Sequence, residues 1–171
     1  EVDNAIEAAF TAFKKWRDMS FRDRADYINR LRAAFDKDHE RLSRILSQDH
    51  GRGINDAQGT IDRCIENIES ASGAMYSLYK GEHVDQLATG IDCYLIWEPV
   101  GVFLILTPGN IPMHAWSSFV PYALACGCTV IVAPSWQCPV ASEAMFEVTE
   151  EVGFPPGVLN LVHIGKKYEL N

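Results

Sequence analysis

The sequence predicts an α/β fold, in which a helical segment precedes a parallel β-sheet. Three short apolar runs, near residues 101–107, 129–133 and 158–163, alternate with two stretches of helical spacing. Strand, helix, strand, helix, strand is the order of a parallel sheet with crossover helices, and ligands of such sheets bind at the carboxyl ends of the strands. The first half instead carries apolar stripes of helical period between charged residues.

We predict three helices in the first half. Asp3 can cap the first helix, and a second, long helix runs from Ser20 to near Gly51. The third covers about residues 56–79. Apolar residues that recur at helical spacing in each segment are typical of core packing, so these stripes predict an interior and not a binding surface.

The apolar runs of the second half predict buried parallel strands. They are too short for helices and too continuous for a sheet with one exposed face. Before them, period-two alternation over residues 91–97, bounded by Gly90 and Pro99, predicts a strand that reaches out before the chain enters the sheet. Three parallel strands do not complete a doubly wound domain, so we expect the chain to be part of something larger.

Composition excludes several classes of partner and site. The 171 residues are 47% hydrophobic and carry a net charge of −8, which argues against nucleic acid or an anionic membrane as the main partner. The longest uncharged run, residues 99–142, is interrupted by Pro, Gly, Asn and His and does not resemble a membrane span. Five cysteines without a metal-ligand spacing predict reduced thiols, no metal site, and a cytoplasmic or mitochondrial-matrix location.

Asn110 is the sharpest catalytic candidate. It lies in a turn after a strand, and Pro112 suits the first turn of the following helix. A side-chain amide there can donate a hydrogen bond to an oxygen that becomes negative, assisted by the helix N-terminus. From spacing alone, an ordinary turn asparagine is the alternative. His114 follows, and a lone histidine near a helix start is more often structural than a general base.

The stretch from Gly101 to Val162 resembles the first half of the cofactor-binding domain of aldehyde dehydrogenases. In that family the loop after the first strand carries an aromatic-Asn-aromatic-Pro motif, whose asparagine helps to hold the thiohemiacetal oxyanion. The matching residues here are Pro108-Gly109-Asn110-Ile111-Pro112. The resemblance therefore implies that Asn110 is the oxyanion donor, although Gly109 and Ile111 replace both aromatic residues.

A second resemblance falls on the next strand end. Ala133-Pro134-Ser135-Trp136 is similar to a Lys-Pro-Ser-Glu motif, whose lysine and glutamate contact the adenosine ribose of the cofactor. Alanine offers no side-chain hydrogen bond, and an indole can only donate one. The resemblance therefore leaves two alternatives: NAD is held in a different way, by stacking on Trp136, or it binds poorly. The implied cofactor-binding residues are Thr107, Gly109, Ala133, Ser135, Trp136 and Gln137.

One branch of the family, the methylmalonate-semialdehyde dehydrogenases, is similar further upstream. The agreement covers residues 59–71, 79–82, 90–92 and 98–101. In that branch an arginine at the Arg63 position pairs with the carboxylate of the semialdehyde, a task that suits a bidentate guanidinium. The alternative for Arg63 is a solvated helix residue beside Asp62 and Glu66.

The resemblance implies NAD-dependent oxidation of an aldehyde or semialdehyde to an acid or acyl-CoA, with coenzyme A a possible acceptor. The family's nucleophilic cysteine and general-base glutamate lie beyond the matching portion, so none of the five cysteines is assigned. The alternative is a truncated or degenerate non-catalytic homologue that serves as an oligomerisation or interaction module.

The resemblance also implies a domain organisation. Residues 1–89 form the helical segment of the cofactor-binding domain, residues 90–99 the projecting oligomerisation strand, and residues 100–171 the first strands and helices of an incomplete, Rossmann-like parallel sheet. A homo-oligomer, a dimer or tetramer, follows from the projecting strand.

Overall fold

The computed structural model describes residues 1–165 of the chain, apart from the Leu78 side chain. Residues 166–171, the last part of the predicted sheet segment, lie outside the described residues. The first half contains α1 (Val2–Trp16), α2 (Phe21–Lys37), α3 (His39–His50), α4 (Ile54–Leu78), β1 (Glu82–Ala88) and β2 (Ile91–Leu95). The second half contains β3 (Val102–Thr107), α5 (Pro112–Ala125), β4 (Thr129–Pro134), α6 (Pro139–Val152) and β5 (Leu159–Leu161).

The three apolar runs form one parallel sheet, as predicted. Its strand order is β3-β4-β5, with β4 in the centre. The prediction that all three strands are buried is wrong, because β3 and β5 lie at the two edges of the sheet. Phe103, Leu104 and Leu106 of β3 are exposed, and the residues of β5 are half-buried. The register between β3 and β4 runs from Val102 opposite Thr129 to Thr107 opposite Pro134. Because the two strands end level, the loops that follow them emerge side by side. The predicted α/β fold class, with a helical segment before a parallel sheet, is confirmed.

Helices cover both faces of the central strand β4. Val130 and Val132 belong to the large core, whereas Ile131 packs with Ala9 of α1 on the opposite face. Side chains alternate across a strand, so the continuous apolar run on β4 is what a doubly covered strand requires. Within residues 1–165, no helix is both long enough and apolar enough to cross a bilayer.

One predicted helix is wrong. The long helix expected from residue 20 to 51 is two helices, because Asp38 leaves the helical conformation (φ −96°, ψ 9°). Its N–H still donates to Ala34 O, and its carbonyl accepts from Leu42 N–H, so Asp38 closes one helix and opens the next. Aspartate favours such termini because its short polar side chain competes with helical hydrogen bonding. The apolar stripe continues on both sides, which hid the break.

The chain before the projecting strand also differs from the expectation. The helical part ends at Leu78, and Glu82–Ala88 forms β1, which pairs antiparallel with β2. The sequence EHVDQLA lacks a clean apolar alternation, so no strand was predicted there. The predicted strand itself is present as Ile91–Leu95, although Trp97 lies outside it. Every residue of both strands is exposed.

Candidate functional site

The candidate site lies at the shared carboxyl end of β3 and β4. Ser135 N–H donates to Thr107 O at 2.9 Å, which joins the two strand ends just where the loops begin. Thr107 and Ser135 are both buried at this edge. The Thr107 hydroxyl is buried without a hydrogen-bond partner in the described part of the chain. A buried hydroxyl of this kind can serve an incoming polar ligand group.

Asn110 is exposed and directly precedes the residue that caps α5. Pro112 is the first helical residue, and the first bond of the helix runs from Ala115 N–H to Ile111 O at 2.9 Å. This geometry leaves the N–H groups of Met113 and His114 without an intrahelical acceptor. The Asn110 side chain therefore lies beside the positive end of a 14-residue helix.

The two loops touch at Gly109. A Cβ atom at this position would lie 3.0 Å from Gln137 Cβ and would also collide with the Gln137 amide. Cys138 Sγ donates to Gly109 O at 3.2 Å. A side chain at residue 109 would therefore require the exposed Gln137 side chain to rotate away. This close approach gives a physical reason for glycine at one of the two positions where an aromatic residue was expected.

The remaining predicted cofactor residues lie at the end of β4 and in the loop that follows it. Ala133 is 5% exposed, and Ser135 is buried beside it. Trp136 is 43% exposed, and Gln137 is exposed as well. The structure thus brings the six predicted cofactor positions to one edge, with polar groups from Thr107 and Gln137 and an accessible indole. Their role in holding NAD remains a prediction.

Arg63 lies on the exposed side of α4. Its guanidinium contacts Glu66 at 3.0 Å, and its side chain is 62% exposed. The neighbouring Cys64 faces α5 and donates to Met113 O at 3.4 Å, whereas Arg63 points along the helix toward Glu66. The pairing with Glu66 is the one expected of a solvated helix residue. A role for Arg63 in substrate binding remains a prediction.

Two residues that sequence reasoning missed hold the loops in place. Arg52 Nη2 donates to Asn110 O at 2.8 Å, across 58 positions of the chain. Asp49 Oδ2 accepts from Ala141 N–H at 2.8 Å, across 92 positions, and so caps α6 from another helix. The available signal was indirect: Cys138, at the N-cap of α6, provides no side-chain cap. A missing local cap indicates a distant one.

The sequence profile of the aldehyde dehydrogenase family matches residues 1–170. The chain belongs to the aldehyde dehydrogenase family. The malonate-semialdehyde dehydrogenase of Pseudomonas aeruginosa is 36% identical over 166 residues, which are 97% of this chain and 33% of that protein. The expected resemblance to the semialdehyde branch is thereby confirmed.

Solved aldehyde dehydrogenases have the same fold. The methylmalonate-semialdehyde dehydrogenase of Oceanimonas doudoroffii superposes with a TM-score of 0.92 at 34% identity, over 97% of this chain and 34% of that one. A putative methylmalonate-semialdehyde dehydrogenase of Sinorhizobium meliloti, solved in complex with NAD, gives 0.91 at 33% identity, over 96% of this chain and 33% of that one. The chain therefore spans about a third of the length of these relatives.

Three of the five cysteines of this aldehyde dehydrogenase chain, Cys64, Cys126 and Cys138, are poor nucleophiles. Burial raises the pKa of the Cys64 thiol to about 12. Burial also raises the pKa of Cys126 and of Cys138, and at Cys138 the Asp49 carboxylate adds to the shift. Since the thiolate is the reactive form, these three thiols are unreactive near neutral pH. Leaving them unassigned is consistent with these surroundings.

We expect one rapidly reacting thiol in the folded protein. Cys93 is exposed on β2, whereas Cys64 and Cys128 are buried. Titration with a chromogenic disulfide at pH 8 should modify Cys93 at once and Cys64 and Cys128 only after denaturation. A Cys93→Ser variant should lose the fast phase. Fast modification of Cys64 in the native protein would contradict the packing of α4 on α5.

Among residues 1–165, one group of side chains could ligate a metal, although the sequence predicts no metal site. Donor atoms of His83, Asp85 and Asp92 lie within 4.8 Å of one another on the β1–β2 hairpin. All three residues are exposed, and Asp92 Oδ1 already accepts from Gln86 N–H at 3.0 Å. The group lies on the hairpin and not on the strand-end loops, so it has no part in the candidate site.

Proposed function

We propose that this chain provides the NAD-binding edge and the oxyanion donor of an aldehyde dehydrogenase that oxidises an aldehyde or semialdehyde to an acid or acyl-CoA. The observation that carries the proposal is the level ending of β3 and β4, where the buried Thr107 hydroxyl has no hydrogen-bond partner among residues 1–165. In open α/β sheets such an edge is where ligands bind. The NAD complex of a solved relative with the same fold supports the choice of cofactor.

The residues at the edge fit a nicotinamide dinucleotide. The Thr107 hydroxyl and the Gln137 amide can hydrogen-bond polar groups of the cofactor, and the exposed Trp136 indole offers a face for stacking. Bound NAD would supply the hydride acceptor of the oxidation. The Ala133 side chain can make only van der Waals contact with the cofactor, since its methyl group has no polar atom.

Asn110 would act on the carbonyl oxygen of the substrate. When a thiolate adds to an aldehyde carbon, the carbonyl oxygen becomes an oxyanion that needs a hydrogen-bond donor. The Asn110 amide is exposed for this purpose, and the α5 N-terminus beside it favours negative charge. The thiolate itself belongs, by family resemblance, to the portion of the relatives that this chain does not span.

A semialdehyde substrate would bring a carboxylate to Arg63. The Arg63–Glu66 pair is exposed, and exposed pairs contribute at most about 1 kcal/mol, so a substrate carboxylate could replace Glu66 at little cost. Coenzyme A as acyl acceptor and a cytoplasmic or mitochondrial-matrix location belong to the same proposal.

The β1–β2 hairpin favours a second role as an oligomerisation or interaction element. Its residues are exposed along both strands, and Val84, Ile91 and Leu95 are large apolar side chains among them. Apolar side chains that share a hairpin without a covering layer favour a protein partner. We propose that this partner is a second copy of the chain. The proposal holds both for a catalytic protein and for a non-catalytic one whose function is to assemble.

The cofactor proposal predicts that restoring the family residues strengthens NAD binding. In an Ala133→Lys, Trp136→Glu variant, the lysine stem can run along the strand end and present its ammonium to the ribose, beside a carboxylate acceptor. We expect the NAD dissociation constant to fall about tenfold or more. A tenfold fall corresponds to about 1.4 kcal/mol of binding free energy. Calorimetric titration of both proteins measures it.

A matched control separates the site from the added charges. The double variant adds one lysine and one glutamate, so its net charge equals that of the parent. Val2→Lys, Ile6→Glu adds the same two charges at exposed positions of α1 and should leave NAD affinity unchanged. Circular dichroism establishes that each variant is folded. Equal affinity of the double variant and the parent, or no binding by either, would contradict a cofactor site at this edge.

A further inference from the structure

We propose that Arg52 is a positioning residue that sets the conformation of the Asn110 turn. Its guanidinium bridges two elements, since Nη2 donates to Asn110 O at 2.8 Å and Nη1 donates to Thr60 Oγ1 on α4 at 2.9 Å. The value of this contact for catalysis rests on the proposed function, because it is there that Asn110 acts as oxyanion donor. The contact itself is a property of the chain alone.

The orientation of one peptide group is the link between Arg52 and Asn110. In a trans peptide the carbonyl and the following N–H point in opposite directions. With the Asn110 carbonyl directed at Arg52, the Ile111 N–H is directed away from it. Ile111 is the N-cap of α5, so the same contact sets how the chain enters the helix. The Asn110 backbone is thereby held, which fixes the point beside the helix N-terminus from which its side chain extends.

Arg52 is itself held from several directions. It follows Gly51, which ends α3 in the left-handed conformation (φ +80°), and it precedes Gly53, the N-cap of α4. Its carbonyl accepts from Ser47 Oγ at 2.7 Å. Thr60 Oγ1 donates to Asp56 O at 2.9 Å, which leaves its lone pairs for the arginine. The Arg52 backbone is thus held at the end of α3 and its guanidinium is held by α4, so Arg52 can fix the conformation of the Asn110 turn.

The same turn also reaches the second loop. Asp49, three residues before Arg52, accepts from Ala141 N–H at the start of α6. Cys138 Sγ, just before α6, donates to Gly109 O in the loop before α5, and so joins the two loops directly. The end of α3 therefore holds both loops of the candidate site, Asp49 through α6 and Arg52 through Asn110. We expect Arg52 and not Asp49 to act on Asn110, because Arg52 bonds to Asn110 whereas Asp49 bonds to Ala141.

Lysine would replace only part of this function. The guanidinium has several N–H donors in a fixed plane, which lets it bond to Thr60 and Asn110 simultaneously. A lysine ammonium is a compact charge on a flexible stem, and its geometry does not enforce both bonds at once. Arg52→Lys should therefore give an intermediate result, whereas Arg52→Gln should remove the bridge.

The test is nitrogen-15 relaxation of the backbone amides, in the parent chain and in three variants. In the parent, the Asn110 and Ile111 amides should have order parameters near those of rigid backbone, about 0.85, and in Arg52→Gln they should fall below about 0.6. Arg52→Lys should lie between. Arg44→Gln removes an exposed arginine of α3 that pairs with Glu40, and it should leave both amides unchanged.

Two results would overturn the positioning role. One is an Arg52→Gln variant in which the order parameters of Asn110 and Ile111 match the parent. The other is a uniform loss of order along the chain, which would make Arg52 a general structural residue. Because this measurement uses no NAD, failure of the cofactor proposal appears separately, as absent NAD binding by a parent chain whose turn is ordered.

Discussion

Trp116→Ala should lower the free energy of unfolding by about 3–5 kcal/mol, the range for removing a large buried aromatic side chain. Trp116 is 0% exposed and stacks on Phe35 of α2, with ring centroids 5.5 Å apart. It lies on α5, the helix that begins just after Asn110. Its loss leaves a cavity between α5 and α2, so the base of the candidate site loosens together with the core. Urea denaturation followed by circular dichroism measures the change.

Phe119→Ala on the same helix is the matched control. Phe119 is 59% exposed, and its removal should cost less than about 1 kcal/mol. Trp116→Phe should cost less than Trp116→Ala, because phenylalanine keeps an aromatic ring against Phe35 and leaves a smaller cavity. Loss of the Nε1 donor adds little to either variant, since this donor is buried without a partner among residues 1–165. Similar losses for Trp116→Ala and Phe119→Ala would show that α5 does not pack on α2 as described.

Gly157→Ala should destabilise the fold by about 3 kcal/mol or more. Gly157 has φ +85°, a conformation that costs an L-residue about 1–2 kcal/mol. In addition, a Cβ atom there would lie 2.5 Å from Ala8 O, in the backbone of α1. Both contributions act in the same direction, since a backbone carbonyl inside a helix cannot move away as a side chain can.

Gly73→Ala provides the opposite control for the same substitution. Gly73 lies within α4, where an added Cβ meets no atom within 4 Å. Alanine is favoured over glycine in a helix interior by about 1 kcal/mol or less, so this variant should be slightly more stable than the parent. Thermal unfolding of both variants compares them. A Gly157→Ala protein as stable as the parent would contradict the packing of α1 against the segment before β5.

The central strand was predictable from sequence because burial on both faces leaves a plain signature. Residues 130–133 are continuously apolar, and the structure buries all six residues of β4. Gly109 and Pro112 likewise marked the loop and the helix start that follow β3. For these elements the local sequence and the tertiary environment favour the same structure, which is the condition under which pattern reasoning succeeds.

The misses share a physical cause. At Asp38 the backbone leaves the helical conformation while the apolar spacing continues, so the spacing does not reveal the division between α2 and α3. The strand β1 is exposed on both faces, and a strand without a buried face carries no alternation to detect. Arg52 and Asp49 act on residues far along the chain, and no local pattern encodes such contacts.

The candidate site was predicted in part through family resemblance. The structure explains Gly109, whose lack of a Cβ lets the Gln137 side chain approach. Nothing in the structure explains Ile111 in place of an aromatic residue. Ala133 and Trp136 sit at the expected edge with altered chemistry, so their effect on NAD affinity requires a binding measurement.

The central claim, that the carboxyl ends of β3 and β4 form an NAD site, is tested most directly by an NMR titration of the unaltered chain with NAD. The claim predicts saturable shifts of backbone amides in residues 107–111 and 133–138, with a single dissociation constant for both loops. Shifts confined to other surfaces, or the absence of saturable shifts at millimolar NAD, would contradict it.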